Sequence, residues 1–262
     1  MRVLFVGDVV AHPGKRMLKN KLKTFLSENA VDACVVNAEN VAAGLGINYS
    51  SAKDLFSFGA DCITLGNHSS SCADYLRFAD AEMKIVRPAN VSEEWPGFDE
   101  YCIDLKEKGR LLVISMMGQV FITPVADSPF RYFEKNIDRW KKQYSPTNIL
   151  IDFHAETTSE KLAFGQFVDG KVSMVLGTHT HVATADEKIL PCGTGYITDV
   201  GMTGTTSGII GMTLDASLRR MKDKLPSKYV AADGPAEMNA ILADLDISNG
   251  KCVKIERIRI YE

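Results

Sequence analysis

Long apolar runs are missing from this chain of 262 residues. No stretch of about 18 consecutive apolar residues occurs, so we expect no membrane-spanning helix. The apolar start, MRVLFVGDVV, is interrupted by Asp8 and no small-residue cleavage site follows it, so we expect no signal peptide. Linkers, low-complexity tracts and internal repeats are missing as well. We therefore expect a single domain that spans residues 1–262.

Paired cysteines are also missing. The six cysteines are scattered along the chain, at Cys34, Cys62, Cys72, Cys102, Cys192 and Cys252. No C-x-x-C spacing occurs among them, and a disulfide framework is not expected in a chain of this length. The sequence therefore predicts reduced, mostly buried thiols and a cytoplasmic protein.

Positive charge is not in excess: 30 Lys and Arg stand against 33 Asp and Glu, a net charge of −3. This excludes a nucleic-acid binder that works through a broad basic surface. A small nucleotide or another phosphodiester substrate needs only a few local positive charges and stays compatible with it. Neither a GxxxxGKS or GxxxxGKT loop nor a GxGxxG loop occurs, so ATP hydrolysis and dinucleotide chemistry have no support.

What is present is an alternation of short apolar strands and helices, which predicts an α/β domain with a largely parallel sheet. The strands predicted to be buried are Arg2–Gly7, Ala33–Asn37, Cys62–Leu65, Asn148–Asp152 and Ser173–Leu176. One predicted helix begins at Pro13, a second is capped by Ser50 or Ser51 and ends at Phe58, and a third runs from Phe130 to Tyr144. Between them, Tyr101–Leu105 and Arg110–Met116 predict an antiparallel hairpin, and Val253–Tyr261 predicts a half-exposed strand.

Polar side chains with metal-binding chemistry follow the predicted buried strands. Since the carboxyl ends of parallel strands gather at one edge of a sheet, we expect these side chains to converge. They are two carboxylates, two amides and three histidines: Asp8, Glu39, Asn40, Asn67, His154, His179 and His181. His179 and His181 are two residues apart, so an extended backbone would point both the same way. Seven such groups suffice for two ions that share a carboxylate.

Each element alone has a simpler explanation. A Gly-Asp after a strand is often a turn, Glu39-Asn40 could cap a helix, and a histidine beyond a strand is often structural. Yet four of the five histidines fall into one pattern, each just after an apolar strand. Oxygen and imidazole ligands without thiolate suit Mn, Fe, Co or Zn better than Mg or Ca. We therefore predict two divalent or trivalent transition metals, Fe or Mn first and Zn second.

Several motifs in order resemble the calcineurin-like metallophosphoesterase superfamily. They are GD (7–8), AEN (38–40), GNH (66–68), DFHAE (152–156) and GTHTH (177–181). More narrowly, NAENVAAGLGI (37–47), FHAETTSEK (153–161) and the stretch from Gly177 to Met212, with ADEKILP and GYITDVGMTG, resemble the YmdB branch of bacterial phosphodiesterases. That branch acts on 2′,3′-cyclic nucleotides, and the resemblance runs nearly from end to end.

The resemblance implies a four-layer α/β/β/α sandwich, with mixed sheets inside and helices outside. It also implies two metal sites bridged by Glu39. One holds Asp8, Asn40 and His181, and the other holds Asn67, His154 and His179. His68 is implied as a catalytic residue that binds no metal and donates a proton to the leaving oxygen. Asp152 or Glu156 could orient the histidine ligands.

The chain departs from these patterns in the loop after the third strand. The branch usually continues Gly-Asn-His with Thr-Trp-Asp, whereas Ser69, Ser70 and Ser71 follow His68 here. An aromatic and an acid next to the catalytic histidine are therefore missing, which would alter substrate stacking or imidazole orientation. The wider superfamily has a metal-binding histidine at the position of Val10. The YmdB branch lacks this histidine too, and the resemblance implies that Asn40 replaces it as a ligand.

Two other functions stay open at this point. The triple serine is compatible with the first alternative, a regulatory or RNA-associated protein in which the metals are structural and turnover is negligible. A phosphomonoesterase or nuclease of the same fold is the second alternative. The assembly state is open too, and a homo-oligomer is compatible with the sequence.

Overall fold

We describe the fold from a computed structural model, which describes residues 1–79 and 83–262. Its strands are β1 (Arg2–Val6), β2 (Ala33–Asn37), β3 (Cys62–Thr64), β4 (Ile85–Val86), β5 (Glu100–Asp104), β6 (Arg110–Met117), β7 (Asn148–His154), β8 (Met174–Thr178), β9 (Lys188–Ile189), β10 (Gly195–Ile197), β11 (Gly204–Thr205), β12 (Ala236–Leu245) and β13 (Cys252–Tyr261). Its α-helices are α1 (Ala11–Glu28), α2 (Tyr49–Phe58), α3 (Tyr75–Phe78), α4 (Pro129–Tyr144), α5 (Thr158–Val168) and α6 (Leu214–Met221). Each of the strands and helices predicted above is present, with ends shifted by one to three residues at most.

The strands form two mixed sheets. In the first, the order is β11-β12-β1-β2-β3-β4, with β13 paired to β12. Strands β1 to β4 run parallel, and β12 runs antiparallel to β1. In the second sheet the order is β5-β6-β7-β8-β10-β9. Strands β6, β7, β8 and β10 run parallel, and β5 forms with β6 the antiparallel hairpin that the sequence predicted.

The sheets pack face to face with helices outside them, because successive side chains of a strand point to opposite faces. In β1, Leu4 and Val6 belong to a core formed with helices α1 and α2. Val3 and Phe5 belong to a second core, formed with β6, β7 and β8 of the other sheet. The far side of the second sheet is covered by α4 and α5, which contribute Phe133 and Phe164 among others. The predicted four-layer α/β/β/α sandwich is confirmed.

Strand β12 has a central place in the first sheet but was not predicted. Its sequence, AEMNAILADL, lacks a clean apolar run because Glu237 and Asn239 interrupt it. Both polar side chains are buried, with partners that make this possible. Glu237 pairs with Arg259 of β13, and Asn239 donates to the carbonyl of Met202. The cap of α2 also differs: Asn48 accepts from the Ser51 N–H, so neither Ser50 nor Ser51 is the cap.

A buried carboxylate joins the two sheets at one end. Asp152 of β7 accepts hydrogen bonds from Asn37 Nδ2 of β2 (2.9 Å) and Thr64 Oγ1 of β3 (2.6 Å). Asn37 and Thr64 are the last residues of their strands. The carboxyl ends of the parallel strands in both sheets therefore open at the same end of the sandwich. No helix within the described residues has the length and apolar character needed to cross a membrane.

Candidate active site

The residues predicted as metal ligands all lie at this end of the sandwich. Asp8 follows β1, Glu39 and Asn40 follow β2, and Asn67 follows β3, so these four come from the first sheet. His154 ends β7, and His179 and His181 follow β8 in the second sheet. Asp8, Glu39, Asn40 and His154 are buried.

The Nε2 atom of His154 is the centre of the tightest group. It lies 2.9 Å from Asn67 Oδ1, 3.1 Å from His179 Nδ1 and 3.2 Å from Glu39 Oε1. Possible ligand atoms of Glu39, His154 and His179 all lie within 4.8 Å of one another. Four donors from four separate loops and strands therefore converge on one small volume.

Neighbouring groups determine which atoms face that volume. The hydroxyl of Thr178 donates to Asp152 Oδ1 (2.6 Å). Because a hydroxyl has only one proton to donate, Thr178 Oγ1 accepts from the Nδ1–H of His154 (2.8 Å). This leaves His154 Nε2 facing the volume. Asn67 donates from Nδ2 to the carbonyl of Thr123 (3.1 Å), which leaves its Oδ1 facing inward.

The other two histidines are oriented in the same manner. Nε2 of His179 lies 3.0 Å from Glu156 Oε2, so that nitrogen donates and Nδ1 faces His154. Nδ1 of His181 lies 3.0 Å from the carbonyl of Ile210, which can only accept, so Nε2 is the nitrogen that faces inward. In each of the three histidines, one ring nitrogen is hydrogen-bonded to a neighbouring group and the other faces the site.

A second, looser group surrounds Asp8. Its Oδ1 lies 4.0 Å from His181 Nε2 and, although buried, has no hydrogen-bond partner in the described part of the chain. Nδ2 of Asn40 lies 3.2 Å from His181 Nε2 and donates to Glu39 Oε1 (2.9 Å). Asn40 therefore presents its amide nitrogen here, and would have to turn its amide over to offer an oxygen.

Burial and neighbouring charges shift the pKa values of four titratable groups in the site. Burial raises the pKa of Asp8 to about 6. Burial opposes ionisation of Glu39 as well, yet the charge of His154 and its hydrogen bond hold the pKa of Glu39 well below its usual range. Burial disfavours the imidazolium of His154, but the charge of Glu39 outweighs it and raises the pKa of His154 to about 9. Burial, with the charge of His154, lowers the pKa of His179 to about 3.

These observations fit a bound transition metal. The donor set is oxygen and imidazole without thiolate, which suits Mn, Fe or Zn. The unpartnered Asp8 Oδ1 is a buried acceptor that a cation would satisfy. Gly66 keeps the space open, because a Cβ there would lie 2.4 Å from Glu39 Oε2 and from His154 Nε2. Since a ligand nitrogen must be deprotonated, a bound cation would replace the proton on His154 Nε2.

The loop that carries His179 and His181 is not extended, which corrects the sequence-based interpretation. Both residues have positive φ, 102° and 66°, a conformation that costs energy for residues other than glycine. A buried ion pair holds this loop. Lys161 donates to Asp199 Oδ2 (2.7 Å) and to the carbonyl of Thr178 (2.8 Å).

The Asp199 carboxylate of that pair completes the support. It accepts from the backbone N–H and the hydroxyl of Thr180, at 3.1 and 2.8 Å, and from the Gly201 N–H. Both Lys161 and Asp199 have side chains only 1% exposed. The residue between the two histidines is therefore tied directly to the buried pair.

His68 lies beside the metal-binding groups but is oriented differently. Its backbone N–H donates to Glu39 Oε2 (3.1 Å), and its Nδ1 lies 3.3 Å from the hydroxyl of Ser71. Ser71, in the run Ser69–Ser71, therefore supplies a hydroxyl partner for the imidazole of His68. Burial lowers the pKa of His68.

A cavity of about 510 Å³ opens over this group. Its floor includes Glu39, Asn40, His68, His179 and His181, and its walls add Leu45, Arg220 and Tyr229 among others. This volume lies within the range of small-molecule sites.

Several groups that the structure places here are not recognisable as functional from the sequence. Thr178 lies inside GTHTH, Lys161 ends FHAETTSEK, and Asp199 lies inside GYITDVGMTG, so the motifs contained them without indicating what they do. Tyr229 lies in a segment without motif or periodicity, and no sequence signal points to it.

Comparisons with known proteins agree with this arrangement. Residues 4–258 match the sequence family described as YmdB-like protein. The chain is 42% identical over 263 residues to the 2′,3′-cyclic-nucleotide 2′-phosphodiesterase of Bacillus subtilis (strain 168), covering 100% of this chain and 98% of that protein. A crystal structure of a hypothetical protein from Thermus thermophilus superposes with a TM-score of 0.93 at 36% identity, covering all of both chains. A crystal structure of a novel phosphatase from Mycoplasma pneumoniae superposes with a TM-score of 0.93 at 31% identity, covering 100% of this chain and 93% of that one. The family match spans nearly the whole chain, and the chain therefore belongs to the YmdB-like family.

Proposed function

We propose that this protein is a metal-dependent phosphodiesterase that hydrolyses 2′,3′-cyclic nucleotides. The observation that carries the proposal is the convergence of Glu39, Asn67 and His179 on Nε2 of His154. The activity for which the Bacillus subtilis relative is named, at 42% identity, supports the substrate class.

Under this proposal two transition metals would be held by the predicted ligand sets, with Glu39 belonging to both. Asp8, Asn40 and His181 would hold one with Glu39, and Asn67, His154 and His179 would hold the other with it. The tighter of the two groups in this structure is the second. When bound, such metals supply a nucleophilic hydroxide at neutral pH and neutralise charge on phosphoryl oxygens.

The chain's own residues position these groups. Thr178 and Glu156 hold the imidazoles of His154 and His179 in the tautomers that ligation requires. Lys161 and Asp199 hold the backbone between His179 and His181. The histidine ligands are therefore preorganised by hydrogen bonds that are present before any substrate arrives.

His68 is proposed as the catalytic residue that binds no metal. It lines the cavity floor, its backbone N–H donates to Glu39 Oε2, and its Nδ1 lies beside the hydroxyl of Ser71, which is not a proposed ligand. There it can donate a proton to the ribose oxygen that leaves the phosphorus, a role worth roughly 10²–10⁴-fold in rate.

The test combines metal analysis with a substrate panel. Protein purified from metal-replete medium should contain about two equivalents of Fe, Mn or Zn, and chelation should abolish hydrolysis of 2′,3′-cAMP. Bis-p-nitrophenyl phosphate should also be cleaved. A protein that carries metal but leaves 2′,3′-cAMP intact would refute the proposed activity and favour the regulatory or RNA-associated alternative.

A phosphomonoesterase is the second candidate, because the Mycoplasma pneumoniae structure of the same fold is described as a phosphatase. The panel separates the two, since a monoesterase would prefer p-nitrophenyl phosphate over its diester. We further propose a cytoplasmic location. The six cysteines are free thiols, three of them buried, which a reducing compartment would preserve.

A further inference from the structure

One wall of the cavity differs from its polar floor. Leu45, Ile210, Met212 and Tyr229 line it. Leu45 and Ile210 are 38% and 43% exposed, although large apolar side chains gain by burial. This apolar exposure lies directly beside the proposed metal-binding groups, since Ile210 also accepts the hydrogen bond of His181 Nδ1.

Tyr229 is fixed in this wall by the backbone of the facing loop. A Cβ on Gly44 would lie 2.1 Å from Tyr229 Cε1, so the ring lies against the glycine and leaves no room for a side chain there. Gly44 also has a φ of +92°, which favours glycine for a second reason. The ring is therefore held in place before any ligand binds, and its ordering costs little entropy on binding.

Tyr229 is half-buried, and its hydroxyl has no protein hydrogen-bond partner among the described residues. Burial and then the charge of Glu39 raise the pKa of Tyr229, so the phenol is neutral and able to donate. A tyrosine side chain presents an apolar ring together with a polar tip. An unpartnered phenol in a wall of apolar side chains matches a ligand that is flat, largely apolar and edged with acceptors.

We propose that Leu45, Ile210, Met212 and Tyr229 form the subsite for the nucleoside of the substrate, with the base against the Tyr229 ring. This rests on the proposed function and adds the residues that select a nucleotide over a simpler cyclic phosphate. The exposed Arg220 lines the mouth of the same cavity and adds a cation there. Stacking of a base on an aromatic side chain is sequence-tolerant, so the subsite selects nucleosides as a class.

The test compares two substrates that share the reacting group. 2′,3′-cAMP and glycerol 1,2-cyclic phosphate both contain a five-membered cyclic phosphodiester, but only the first has a base. For Tyr229→Ala, the ratio of kcat/KM for 2′,3′-cAMP over glycerol cyclic phosphate should fall roughly 5- to 150-fold, as loss of one base–aromatic contact predicts. Tyr229→Phe should retain most of the ratio, because it keeps the ring.

Controls guard against effects on the fold. Tyr261, at the end of β13 and 57% exposed, provides a matched variant, Tyr261→Ala, whose ratio should stay within twofold of the wild type. If Tyr229→Ala does not fold, Leu45→Ser tests the same wall at an exposed position and should lower the ratio. A ratio that is the same in wild type, Tyr229→Ala and Leu45→Ser would overturn the subsite.

Failure of the proposed function gives a different result. In that case the wild type cleaves neither cyclic ester, and calorimetric binding of 3′-AMP and glycerol 2-phosphate replaces turnover. Tighter binding of 3′-AMP that Tyr229→Ala removes would support the subsite. Equal binding of the two phosphates by the wild type would overturn it.

Discussion

Nδ1 of His154 lies 2.8 Å from the hydroxyl of Thr178, and that hydroxyl donates its one hydrogen bond to Asp152. Thr178 can therefore only accept from the imidazole, which places a proton on Nδ1 and assigns Nε2 to the site. The buried carboxylate of Asp152 thus determines the tautomer of His154 through the hydroxyl of Thr178.

Replacing Thr178 by valine keeps the shape and removes this control. We expect metal affinity to fall about 10- to 100-fold, the usual effect of losing a group that orients a metal-binding histidine. Chelator competition with Mn or Zn measures it. Thr194→Val is the matched control, because Thr194 is a buried threonine at the other end of the second sheet, bonded to Gly170 and Val172. Equal affinities for the two variants would contradict the role of Thr178.

Glu39→Gln should reduce both metal equivalents together, because the proposal assigns Glu39 to both metal sites. Activity should fall on the order of 10²-fold or more, since metals contribute several kcal/mol to the transition state. Metal analysis and 2′,3′-cAMP turnover measure this. Glu237→Gln, at a buried glutamate paired with Arg259, is the control for loss of a buried carboxylate. Loss of one metal with full retention of the other would disprove the bridge.

His68→Ala should keep both metals and lose about 10²-fold in kcat/KM for 2′,3′-cAMP, roughly 3 kcal/mol. The loss should be smaller for bis-p-nitrophenyl phosphate, because p-nitrophenolate leaves without a proton. His12→Ala serves as control, since His12 is exposed and stands outside the proposed ligand sets. Equal rates for His68→Ala and wild type on 2′,3′-cAMP, with metals intact, rule out the acid.

Ser71→Ala tests whether the serine loop orients His68. Loss of the 3.3 Å contact between the Ser71 hydroxyl and His68 Nδ1 should lower kcat on 2′,3′-cAMP by about 2- to 10-fold, with KM little changed. Ser70→Ala changes an exposed neighbour in the same loop and should have no such effect. If both variants behave alike, the orientation of His68 does not depend on Ser71.

Lys161→Met should destabilise the fold by roughly 3–5 kcal/mol, because it leaves Asp199 as a buried, unpaired charge. The free energy of unfolding in urea measures the effect. Lys254→Met breaks an exposed pair with Glu256 and should cost about 1 kcal/mol or less. A loss for Lys161→Met as small as that for Lys254→Met would mean that the buried pair does not stabilise the histidine loop.

The sequence predicted the strands that lead to Asp8, Glu39, Asn67 and His154 because each contains a short apolar run, which is typical of strands buried on both faces. The convergence of their ends follows from parallel topology. Strand β12 could not be predicted because the partners that allow Glu237 and Asn239 to be buried in it are remote in sequence.

The conformation of the loop with His179 and His181 and the position of Tyr229 could not be predicted for the same reason. The positive φ of His179 and His181 is imposed by Lys161 and Asp199, and nothing in Thr-His-Thr-His itself requires it. Tyr229 reaches the cavity through a loop whose path depends on contact with Gly44, a residue 185 positions earlier in the chain by numbering. Such contacts depend on tertiary packing, which local patterns do not encode.

The hydrogen bonds that Asp152 accepts from Asn37 and Thr64 have a consequence for how this sandwich can vary. Apolar contact is non-directional, so the core between the sheets does not by itself determine how far one sheet slides across the other. The directional bonds at Asp152 do determine it, at the end where each sheet contributes its share of the site. The relative position of the two halves of the site therefore depends on these hydrogen bonds and not on which apolar residues fill the core. Volume changes deep between the sheets should therefore alter stability well before they alter the spacing of the groups at the open end.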